Sequence, residues 1–246
     1  MKPAPTAPLR FVLVTMDPHL QGAAERARGT LQRQLPGLRF TMHAASEWAS
    51  DAASLQRCKD DIAAADIVVV TMLFMEEHFK PILDDLAARR EHCDAMVCAM
   101  SAGEVSRLTR MGRFDMAKPA SGVLALLKKL RGKSGAEAAK DGQAPSASSG
   151  ERQMKMLRRL PQLLKFIPGT AQDVRAYFLT LQYWLGGSQD NVVNMVRFLV
   201  DRYAGMGGSD GARAALRGKT AADGPVEYPE VGVYHPRLPG RLSAEI

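Results

Sequence analysis

Residues 66–74, reading DIVVVTMLF, form an almost continuous apolar run rich in β-branched side chains. Such a run marks a strand buried on both faces, as in the interior of a parallel sheet. Parallel neighbours need helical crossovers between them, and the flanking sequence supplies these. Residues 10–16 (RFVLVTM) make a β-branched run that ends at Asp17-Pro18, and helix-like apolar spacing then extends from Leu20 to Leu35 before Pro36-Gly37. Residues 38–43 read as a second strand and Leu55 to Ala65 as part of a second helix. Residues 76–93 form a third helix, with Phe79, Ile82, Leu83 and Leu86 as its apolar positions, and residues 94–100 a fourth strand. A last helix is expected from near Gly103 to beyond Leu108. This alternation predicts an α/β domain over residues 1–117, a flavodoxin-like or Rossmann-like parallel sheet with flanking helices.

Ligands and partners of such sheets gather beyond the carboxyl ends of the strands. Those ends carry Asp17 and His19, Ser46 and Glu47, Glu76, Glu77 and His78, and Ser101 and Glu104. An acidic rim with histidines suits a cation or hydrated magnesium, which makes Glu76, Glu77 and His78 the metal candidates. Carboxylates at strand-to-helix junctions also complement helix N-termini, and this is the plainer reading. No dinucleotide fingerprint follows the first strand, where MDPHLQGAAE offers only Gly22. Gly132-Lys133-Ser134 and Gly218-Lys219-Thr220 end like a phosphate loop, but Leu127 and Arg213 stand where its first glycine belongs. The chain is therefore not expected to bind ATP by itself.

The net charge of +7 is concentrated in one place. From Lys118 to Lys165 eleven Lys and Arg face three Asp and Glu, so that segment carries +8 and the remainder −1. A nucleic-acid partner loses its support once the basicity is confined in this way. Within it, SGAEAAKDGQAPSASSGERQ has almost no large apolar residue, and residues 118–153 are read as a basic flexible linker. Three cysteines, Cys58, Cys93 and Cys98, are too few for a disulfide framework and read as buried thiols. The absence of a membrane span or an apolar leader makes the cytoplasm the expected compartment.

Helical patterning returns at Met154 with Leu157, Leu160, Leu163, Leu164 and Ile167, and stops at Pro168-Gly169. Residues 171–204 then hold two helical patterns around Gly186-Gly187, with Ser188 placed to cap the second helix. Residues 154–204 are accordingly read as a helical segment. Residues 205–246 contain Pro229, Pro236 and Pro239 and are read as an extended entry into a following domain.

Four stretches, TMLFMEEH, SAGEVSRLTRMGRFDM, RRLPQLLKFIPGTAQDVRAYFLTLQYWLGGSQDN and EYPEVGVYHP, resemble in order the large H subunit of magnesium chelatase. The resemblance implies the N-terminal region of a bacterial, bacteriochlorophyll-type subunit that binds protoporphyrin IX and receives Mg²⁺. It also implies an AAA+ ATPase subunit, with its own partner subunit, that holds the ATP elsewhere. The segment alone is expected to be inactive, with its catalytic residues beyond Ile246. The related cobaltochelatase large subunit and a non-catalytic docking module for the motor subunits are the alternatives; WLGGSQDN and GRFDM favour magnesium.

Five residues are candidates for a porphyrin or partner surface. Tyr183 and Trp184 offer flat faces on which a porphyrin stacks, although aromatics among Phe178, Leu181 and Leu185 on a helix also read as core. Glu104 and Arg107 lie three apart, as an intrahelical ion pair or a docking pair. His235, the only histidine of the second half, has the chemistry to approach a metal or porphyrin. Asp190 and Asn191 are expected to complement the dipole of the helix they begin.

Overall fold

A computed structural model of the chain describes residues 8–16, 18–118, 161–162, 164–207, 214–218, 221–227, 233–235, 237 and 242–243. Strands β1 (Leu9–Thr15), β2 (Leu38–Ala44), β3 (Ile67–Thr71) and β4 (Ala95–Ala99) run parallel in the spatial order β2-β1-β3-β4. Helices α1 (Gln21–Gln34), α2 (Ala52–Ala64) and α3 (Glu76–Arg90) make the crossovers. Alternate strand residues serve opposite faces: Phe11, Leu13 and Val69 enter one core with α1, while Val12, Val14 and Val70 enter the other with α2 and α3. Both faces are apolar because both are covered, which is why the strands read as continuous apolar runs.

The helix expected past Leu108 is shorter in the structure. Helix α4 (Gly103–Ser106) ends at Arg107, its C-cap. Two residues on, Thr109 Oγ1 donates to Cys98 O and accepts from the Cys98 N–H, both at 3.0 Å. A hydroxyl satisfying both main-chain groups of a β4 residue holds the chain against the sheet and leaves no room for another turn of helix. Strands β5 (Arg110–Met111) and β6 (Phe114–Asp115) follow as a hairpin around Gly112-Arg113 and extend the sheet antiparallel, to six strands of mixed direction.

Helices α5 (Thr170–Gly186) and α6 (Gln189–Tyr203) join the α1 face, where Val174, Trp184, Val196 and Leu199 share one core with Phe11 and Val69. Two buried carboxylates fasten this pair to the amino end of the sheet. Asp94, just before β4, accepts the Gly205 and Gly207 N–H groups at 2.7 and 2.6 Å. Asp173 on α5 accepts the Arg113 N–H and the Tyr203 hydroxyl, each at 2.9 Å. A short antiparallel pair, β7 (Val233–Tyr234) and β8 (Leu242–Ser243), comes last. The basic stretch after Lys118, the early helical positions Leu157, Leu160 and Leu163, and Asp17 lie outside the described residues. Among the described residues no helix is long and apolar enough to cross a membrane.

Candidate functional site

The glycine break is built as the sequence predicts and does more than turn the chain. Gly187 adopts φ 59°, a left-handed conformation that closes α5, and its N–H reaches Trp184 O at 3.1 Å. Ser188 caps α6, its hydroxyl accepting the Asn191 N–H at 3.2 Å. Gly186 has a different duty. A Cβ there would lie 2.2 Å from Asn191 Nδ2 and 2.9 Å from Val226 O.

That vacant space lets Asn191 act as a clamp. Its amide donates to Val226 O and accepts the Val226 N–H, both at 2.9 Å, imitating one rung of a β-ladder. Asn194 Oδ1 accepts the Asp223 N–H at 3.1 Å, Arg197 donates to Ala221 O, and the Tyr183 hydroxyl donates to Asp223 O at 2.5 Å. Positions 191, 194 and 197 recur every three residues and so line one face of α6. Together they hold an extended strap, residues 221–227. Asn191 thus serves the strap through its side chain, beyond the dipole role expected at the start of α6; it is uncharged and fully buried. The sequence signal for this clamp was the run of polar side chains Asn191, Asn194 and Arg197 at a spacing of three on a largely apolar helix.

Tyr183 and Trp184 are 2% and 4% exposed. Burial pushes the Tyr183 phenol up to about 12, so it remains a donor to its carbonyl partner. Trp184 meets the His19 ring edge-on, with centroids 5.6 Å apart. Both aromatics are engaged in packing.

The carboxyl rim beside β3 and β4 has the opposite character. Its two loops are tied together: the Leu73 N–H donates to Ser101 Oγ at 3.1 Å and the Ala102 N–H to Leu73 O at 2.8 Å. Met72 and Met100, immediately after the two strands, both have positive φ, 61° and 48°, which is uncommon without a glycine. From these loops Phe74 and Met75 project 55% and 52% exposed, and Glu104 and Arg107 are exposed beside them. No ion pair joins Glu104 to Arg107, although Arg107, the C-cap of α4, keeps its N–H on Gly103 O at 3.1 Å; both side chains are exposed.

The metal candidates do not converge. Glu76 pairs with Lys80 one turn on, Glu77 is exposed, and His78 is half-buried with Nδ1 unpartnered. Glu76 and Glu77 occupy the first turn of α3, where their charge complements the helix dipole. Among the described residues no group of three His, Cys, Asp or Glu side chains is placed to hold a metal ion. His235 is exposed, and its Nδ1 accepts the Arg237 N–H at 3.2 Å. The three cysteines are buried free thiols; burial raises Cys58 to about 12 and Cys93 to about 11, which leaves them unreactive.

Residues 10–178 match the family described as "Domain of unknown function (DUF3479)". The chain is 47% identical over 234 residues, 95% of its length, to the H subunit of the magnesium chelatase of Rhodobacter capsulatus. It is 46% identical over 243 residues to the corresponding H subunit of Cereibacter sphaeroides, and 30% identical over 181 residues to the chloroplastic ChlH subunit of the magnesium chelatase of rice, Oryza sativa. It spans 18%, 19% and 12% of the lengths of these relatives, in their N-terminal part. The chain therefore belongs to the DUF3479 family, in a form similar over nearly its whole length to the N-terminal part of magnesium-chelatase H subunits.

Proposed function

We propose that the chain is the N-terminal region of the porphyrin-binding subunit of an ATP-dependent magnesium chelatase of the cytoplasm, a ligase forming nitrogen–metal bonds. The complex would insert Mg²⁺ into protoporphyrin IX during bacteriochlorophyll or chlorophyll synthesis. The observation that carries this reading is the 47% identity across 95% of the chain to the H subunit of a magnesium chelatase. The chemistry fits a divided machine. Magnesium gives up its waters reluctantly, and two pyrrole protons must leave as it enters, so an energy source on a separate AAA+ subunit is apt.

Within that machine this segment supplies scaffold and a docking surface. Burial of Tyr183 and Trp184 supports a scaffold role for the helical pair, and the exposed Phe74, Met75, Glu104 and Arg107 support the carboxyl rim as the face toward the motor subunits. The basic residues 118–153 would tether this platform.

Titrating the chain with protoporphyrin IX, followed by porphyrin and tryptophan fluorescence, tests the division of labour. The expected result is no saturable binding, no ATPase and no metal insertion by the chain alone, together with retention of the ATPase subunit in a pull-down. Metal insertion by the isolated chain would overturn the scaffold reading.

A further inference from the structure

Among the described residues β2 pairs with β1 alone and its other side is a sheet edge. The direction of its free groups follows from the ladder. Leu9, in register with Leu38, donates its N–H to Gly37 O at 2.7 Å, which turns the main chain of residues 39, 41 and 43 toward β1. The N–H and C=O groups of Leu38, Phe40, Met42 and Ala44 therefore face outward. This edge is seven residues long and has no proline, and its one arginine, Arg39, lies 3.9 Å from Asp61.

Each face of the edge has a recess beside it. On the α1 side Glu25 and Arg28 stand over Phe40 and Met42. On the α2 side a recess of about 480 Å³ is lined by Thr41, His43, Arg57, Asp60 and Asp61 among others. Arg28 and Met42 border both recesses, so the two meet across the edge. Each helix brings one acid and one arginine at a spacing of three: Glu25 with Arg28, and Arg57 with Asp60. A patch holding both signs on both faces is complementary to itself once turned by half a revolution, and a partner of one charge sign fits it poorly.

We propose that two copies of this chain pair β2 with β2, antiparallel, about a two-fold axis through Thr41, continuing the sheet from one copy into the next. In that register Phe40 faces Met42 of the second copy and Leu38 faces Ala44, and these outward-directed residues form the hydrogen-bonded pairs. Thr41 faces Thr41 in a non-hydrogen-bonded pair, where side chains approach most closely. Thr41 Oγ1 is buried without a hydrogen-bond partner among the described residues, and the same hydroxyl across the axis supplies one. Glu25 and Arg28 then exchange partners across the axis, as do Arg57 and Asp60, whose present pairings with Asp51 and Gln56 are exposed and readily given up.

Sedimentation equilibrium of the chain tests this at concentrations up to about 100 μM, where an interface of ~10 μM affinity is mostly occupied. The expected mass is twice that of the monomer. The exposed Glu25→Arg and Arg28→Glu substitutions should each give monomers, and an equimolar mixture of the two variants should restore the dimer. Thr41→Cys should form an intermolecular disulfide under mild oxidation, since the three native cysteines are buried. A monomeric wild-type chain overturns the proposal, as does a dimer that survives both charge substitutions or a Thr41→Cys chain that fails to cross-link.

Discussion

At the glycine break Asn191 and Tyr183 are buried and direct their polar atoms to the strap, whereas at the rim Phe74, Met75, Glu104 and Arg107 all project into solvent. The two regions differ in what a side-chain change does. Buried hydrogen-bonded groups in close packing are coupled, so each residue there constrains its neighbours. Exposed side chains on loops can change without cost to the fold and remain available to a partner. The glycine break, within one of the stretches that carry the family resemblance, is thus a structural joint, whereas these rim side chains face solvent.

Four measurements would break or sharpen that contrast, and a fifth probes the sheet away from both regions. The largest effect is expected from Gly186→Ala, at about 3 kcal/mol of stability in urea unfolding, because the new methyl collides with a clamped amide and a main-chain oxygen. Asn191→Ala should cost about 2 kcal/mol by removing both bonds to Val226, and amide exchange at Val226 should accelerate even where the rest of the fold is protected. Gly187→Val should cost about 1–2 kcal/mol through its left-handed backbone, with a Cβ only 3.3 Å from Leu20 Cδ2. Unchanged stability of the Gly186 variant would remove the clamp from the account.

A smaller effect concerns pH and lies away from both regions. His43 bonds Asp61 at 2.9 Å, yet its pKa is lowered because burial disfavours the imidazolium more than Asp61 favours it. The folded state therefore prefers neutral His43. That contribution is intact above the unfolded value of about 6.5 and is lost as pH falls toward and through the lower folded value. Stability should decline from pH 7 to pH 5, and the decline should be shallower in His43→Gln. The smallest stability effect belongs to the rim: Phe74→Ser with Met75→Ser should stay within about 0.5 kcal/mol of wild type while weakening retention of the ATPase subunit. A rim variant that unfolds would show this surface to be structural as well.

Much of the first half was legible because its signals are local. The strand expected at residues 94–100 is β4 at Ala95–Ala99, and Ser188 caps α6 as its position beside Gly187 indicated. The break after Ser106 was not legible, since helix-like composition continues through Arg107 and Leu108 while the bond that stops the helix joins Thr109 to Cys98 on another strand. Nor could the candidate side chains be sorted by composition. Tyr183 and Trp184 look alike on the page whether they face a ligand or a core, and only burial separates the two.

The sequence by itself determined the four parallel strands, the three helices that cross between them and the break at Gly186-Gly187, because periodicity, capping and turn chemistry act within a few residues. The tertiary structure decided that α5 and α6 pack on the same face as α1, that among the described residues only β1 pairs with β2, and that Gly186 lacks a side chain for the sake of Asn191 and Val226. Those outcomes rest on contacts between residues tens of positions apart, whose worth depends on buried volume and on the pairing of polar groups that no local window contains.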